Sequence, residues 1–110
     1  MQHNYSLENQ ITNGVVQYVA EIKTDLNNIQ VIFQDINTGK KTSLEVIGFN
    51  NFSIILDSPE CMVKDIQDYT LRALIGLSYE ENSNGYIYCL KTDDYEIMFE
   101  SKSFAKIAKL

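Results

Sequence analysis

Apolar side chains recur at every second position through most of this chain, a period that belongs to strands and not to helices. Residues 15–24 place Val16, Tyr18, Ala20 and Ile22 on one face and Gln17, Glu21 and Lys23 on the other, as a half-buried strand does. Turn chemistry follows in Asp25-Leu26-Asn27-Asn28, where short polar side chains favour tight bends. Ile29, Val31 and Phe33 then alternate with Gln30, Ile32 and Gln34, and Asn37-Thr38-Gly39-Lys40 turns the chain into a third strand over 41–49, with Leu44 and Val46 on one face. Beyond Asn50-Asn51, Phe52, Ile54 and Leu56 alternate in a fourth. Links this short join antiparallel neighbours and leave no room for a parallel crossover.

The middle admits two patterns. Ser58 and Pro59 suit a helix start, since a serine caps and a proline loses nothing in the first turn. Val63, Ile66, Thr70, Leu74 and Leu77 form a helical stripe, yet Tyr69, Leu71, Ala73, Ile75, Leu77 and Tyr79 alternate as a strand. The loop Glu81-Asn82-Ser83-Asn84-Gly85 decides, because Asn-Gly serves hairpins and the strand after it needs an antiparallel mate. A short helix over 59–67 and a strand over 69–79 are expected, in preference to one long helix over 59–76. Tyr86, Tyr88 and Leu90 face one way and Ile87 and Cys89 the other, the mark of a strand that is central or covered on both sides. A further strand over 95–100 carries Ile97 and Phe99 on one face. The end of the chain, with Phe104, Ile107 and Leu110 among lysines, suits an edge strand or a helical turn. The expectation is one α+β, β-rich domain over 1–110: six to eight mostly antiparallel strands, one short helix, and residues 1–13 as a flexible tail.

Little chemistry is available to such a chain. The lone histidine, His3, lies in that tail, and the two cysteines, Cys61 and Cys89, form no C-x-x-C pair, so neither a zinc ligand set nor a histidine-activated nucleophile is expected. Two cysteines are also too few for a disulfide framework, and both are taken as reduced. Gly39-Lys40 lacks the upstream glycine of a phosphate loop, since Gln34 stands there, and Lys41 replaces the required Ser or Thr. No calcium-loop spacing occurs, and Glu80/Glu81 and Asp93/Asp94 are sequence neighbours that point apart. No enzyme activity, metal or cofactor is expected.

Net charge is −6, and the acids are unevenly placed: ten of them lie between 57 and 100 against three basic residues. Such a balance argues against a nucleic-acid binder working by phosphate neutralisation and against a basic membrane-surface patch, and permits a basic protein partner. No apolar run of about 18 residues, the length that spans a bilayer as a helix, occurs, and no transmembrane helix is expected. The polar opening MQHNYSLENQ is unlike a secretory leader, so a cytoplasmic protein is expected.

The strand layout, with Ile47-Gly48-Phe49-Asn50-Asn51-Phe52, Val63-Lys64-Asp65-Ile66, and Gly85-Tyr86-Ile87-Tyr88 followed by 93–101, resembles small β-rich bacterial immunity proteins, encoded beside the toxins of interbacterial competition. The likeness spans most of 14–107. It implies a protein that binds and neutralises one cognate toxin, a basic nuclease among the candidates, by covering its active or target-binding surface in a heterodimer. Two other functions share these features: a phage or mobile-element inhibitor of a host defence effector, and an assembly adaptor pairing through a sheet edge. For partner contact the expected residues are Asp93, Asp94 and Glu96 with Tyr95 as anchor, or else Glu80 and Glu81 at the opposite end of the meander. Tyr79 and Tyr86, flanking the hairpin loop, are further interface candidates.

Overall fold

A computed structural model describes residues 4–56 and 72–110. The expected helix over 59–67, the first residues of the 69–79 strand, His3 and Cys61 lie outside them. Eight strands follow a short helix: α1 (Ser6–Thr12), β1 (Gln17–Thr24), β2 (Asn28–Asp35), β3 (Lys41–Ile47), β4 (Phe49–Leu56), β5 (Arg72–Asn82), β6 (Gly85–Thr92), β7 (Tyr95–Ser101) and β8 (Lys106–Lys109). The β-rich antiparallel architecture is as the alternation predicts, and residues 72–79 are strand and not the end of a long helix.

The strands run in the order β4-β7-β6-β5-β1-β2-β3-β8. Only Gly48, at φ 77°, separates β3 from β4, yet these strands sit in opposite halves of the sheet. A one-residue corner between distant strands forces the two halves to curl over a shared core. That core joins Val19, Ile22, Ile29, Val31, Phe33, Leu44 and Val46 from one half to Leu77, Tyr88, Leu90, Tyr95, Ile97 and Phe99 from the other. Among the described residues the halves are stitched side by side through two residue pairs, Tyr18 with Ala73 and Val19 with Arg72. Beyond that short seam α1 closes the gap: Asn4 pairs with Tyr79 as an isolated bridge, and Glu8 accepts a hydrogen bond from the Leu77 amide at 2.9 Å.

Three expectations are corrected. Residues 4–13 are no loose tail, because Leu7 and Ile11, one helical turn apart, are buried in the core. Asn13 then ends the helix in the left-handed conformation. In β1 the register slips between Val19 and Glu21, leaving Ala20 as an extra residue. The bulge reverses the strand's phase, so Gln17, Val19 and Ile22 are buried while Val16 is exposed. A second slip, between Leu74 and Gly76, turns Ile75 outward and Leu77 inward. The C-terminal residues form an edge strand, β8, whose Lys106 and Lys109 discourage further pairing.

Candidate functional site

The half-sheet β4-β7-β6-β5 has one face on the core and one turned away from it. Since Tyr88, Leu90, Ile97 and Phe99 are buried, their alternating neighbours Ile87, Cys89, Lys91, Glu96, Met98 and Glu100 point outward. Register aligns this face into three rows across four strands. One row reads Glu80, Ile87, Glu100, Asn50; the next Ser78, Cys89, Met98, Ser53; the third Gly76, Lys91, Glu96, Ile55. Glu80 and Glu100 are thus two strand spacings apart, about 10 Å, and Glu96 and Glu100 four residues apart along β7, about 13 Å. Three carboxylates against one lysine, around Ile87, Met98 and the exposed Ile55, make an acidic surface with an apolar centre.

Neighbours hold two of these acids in place. Asn51, bulged at φ 50°, donates its side-chain amide to Glu100. The Cys89 thiol donates to Glu96 at 2.8 Å. Burial, and then this bond to a carboxylate, push the Cys89 thiol up to about 12, so at neutral pH it is a protonated donor and no nucleophile.

The sequence-predicted contacts separate. Glu80 and Glu96, placed in competing groups by the sequence, share this face. Glu81 alternates onto the other face, opposite Tyr86, and Asp93 is exposed in the turn at the far end. Asp94 is held by the Arg72 guanidinium, a partly exposed ion pair. Tyr95 is 1% exposed and belongs to the core. Its role as a surface anchor is therefore withdrawn: it shares the parity of Ile97 and Phe99, and side chains two apart on a strand point the same way. Tyr79 and Tyr86 are half-buried and pack edge-on against Phe104, with ring centres 5.0 and 5.1 Å away. Sequence reasoning missed Glu100, Met98 and Ile87 as surface contacts, although their two- and four-residue spacing from Glu96 and Cys89 was there to find.

No family model, curated protein or solved structure matches the chain. Its function must therefore be argued from the surface itself. Among the described residues no group of three His, Cys, Asp or Glu side chains could hold a metal ion, and no helix is long and apolar enough to cross a membrane. The outer face offers negative charge and apolar area side by side on four strands.

Proposed function

We propose that this protein is a non-catalytic inhibitor that captures one basic toxin protein, as immunity proteins do, on the outer face of β4–β7. The observation that carries this is the placement of Glu80, Glu96 and Glu100 around Ile87 and Met98 on one strand-built surface. Charges at the rim of such a patch accelerate encounter, and a desolvated apolar centre slows release. Asp93, at the edge beyond Glu96, extends the field toward an approaching cation.

Co-expression with the toxin encoded beside it tests the function. Survival that depends on this protein, and fails in a Glu80→Lys/Glu96→Lys/Glu100→Lys variant that still folds, is the expected result. Killing that proceeds unchanged by the wild-type chain refutes it. A defence-effector inhibitor would use the same surface and differ only in which enzyme it silences. The adaptor alternative has its own observation, since β4 ends the strand order and carries Ile55 exposed. Amide shifts confined to β4 on partner binding, with the outer-face side chains unmoved, would favour that alternative.

A further inference from the structure

A cleft of about 550 Å³ opens at one mouth of the curled sheet, between the C-terminal end of α1 and the ends of β1, β2, β3 and β8. Three lysines are among the residues that line it, Lys40, Lys41 and Lys109, in a chain whose net charge is −6. The one side-chain carboxylate among the lining residues, Asp35, accepts from the Asn37 and Thr38 amides of its own turn, which hold its pKa below the usual value and keep it ionised near Lys40. Ile11 and Val15 give the cleft an apolar wall.

Gln17 lines the same cleft and is only 4% exposed, yet its side-chain oxygen has no hydrogen-bond partner. A buried acceptor without a donor costs stability, and the Ala20 bulge is what turns Gln17 inward. Such a cost is tolerated where a ligand completes the bond. Rotation about the terminal torsion lets the amide present an acceptor and a donor side by side.

The register sets the length of the matching molecule. Gln17 pairs with Asp35, Gln34 with Lys41, and Thr42 with Lys109, so Gln17 and the Lys109 strand are three spacings apart, about 14 Å. A lone phosphate is too small to reach both. The ligand needs an anionic end for the lysines, a flat apolar body for Ile11 and Val15, and an edge with adjacent donor and acceptor for the amide. Nucleobases carry such edges, and glutamine reads adenine in this bidentate way. We propose that the cleft binds a nucleoside phosphate, its base against Gln17 and its phosphates against Lys40, Lys41 and Lys109. Mouths of curled sheets are common sites for small ligands. The site lies away from the acidic face and does not depend on the function proposed for that face.

Titration of the full chain with ADP and with UDP, followed by calorimetry and by the NMR signals of glutamine side-chain amides, tests this. Binding of at least one nucleotide is expected, with the Gln17 amide shifting and affinity falling as salt rises. Inorganic phosphate alone should bind far more weakly. Gln17→Leu should weaken nucleotide binding about tenfold while raising the melting temperature of the free protein, the opposite signs that separate a binding residue from a structural one. The exposed pair Lys40→Gln/Lys41→Gln, which leaves the core intact, should lose binding and its salt dependence even if Gln17→Leu folds poorly. Phosphate binding as tight as nucleotide binding overturns the proposal. So does unchanged affinity in the lysine variant, or no Gln17 shift with either nucleotide at about 5 mM, a concentration that would reveal even millimolar affinity.

Discussion

Removing one oxygen, in Tyr88→Phe, should loosen the whole C-terminal segment. The Tyr88 hydroxyl donates to the Ser103 carbonyl at 3.0 Å and accepts from the Ala105 amide at 2.9 Å, fastening the loop that delivers β8. Phenylalanine keeps the ring and its stacking on Phe99, with centres 5.1 Å apart, so no cavity opens. Ser103 is exposed and its carbonyl regains water, but Ala105 is 7% exposed and its amide is left without a partner. An orphaned buried donor costs about 1–3 kcal/mol, so a loss near 2 kcal/mol is expected. At about 5 °C per kcal/mol for a domain this size, the melting temperature should fall by roughly 10 °C. Chemical denaturation gives the energy, and hydrogen exchange should show faster exchange in 105–110 than in β6. pH adds a second signature. Burial pushes the Tyr88 phenol up to about 12 from its usual 10.0, so the unfolded chain ionises first. The wild-type advantage is then complete below pH 10 and shrinks as pH rises toward 12. A variant as stable as wild type, with unchanged exchange at 105–110, would refute the fastening role.

Gly85→Ala should destabilise more severely, by about 3 kcal/mol, since a Cβ there would sit 2.4 Å from the Ser101 carbonyl oxygen at φ 137°; thermal denaturation checks it. Iodoacetamide should label native Cys89 slowly at neutral pH, with a rate that rises only toward pH 12, and Glu96→Gln should move that rise to lower pH. The turn at Asp25, whose carboxylate accepts from the Asn27 and Asn28 amides and is held below its usual pKa, should keep its amide signals on acidification until pH falls below 3.8. Folded Glu80→Lys/Glu96→Lys/Glu100→Lys should associate with a basic partner more slowly and with a flatter salt dependence in stopped flow.

Alternation made β2, β3, β4, β6 and β7 legible, down to which of Ile29, Val31, Phe33, Leu44 and Val46 face inward. It failed where a single extra residue changes phase, at Ala20 and Ile75, because a bulge is set by tertiary pairing and leaves no periodic trace. The helix was missed since Leu7 and Ile11 are only two apolar residues in a polar stretch, though the following Asn13-Gly14 is a usual helix stop. Acidity was visible in composition, but which acids share a face was not. Asp94 is engaged by Arg72 and Tyr95 turns inward for reasons of strand parity, whereas Glu80 and Glu100 meet only through β6. The lysine cleft draws on four strand ends and a helix, a gathering that no local window contains.

The one-residue Gly48 corner has a consequence for synthesis. Three strands of the first half emerge early, the chain then crosses over to build β4 through β7, and β8 returns last to pair with β3. The β4–β7 half is one contiguous stretch of chain, but the half made of β1, β2, β3 and β8 is split around it, so that half cannot complete its side of the core until the other has been translated. Closure must await the final strand. Until it arrives, the β3 edge stays unpaired and the emerging chain is open to capture by chaperones or to pairing with a second copy. A protein built this way should fold in one cooperative step once β8 is available, at a speed set by its many contacts between residues distant in sequence.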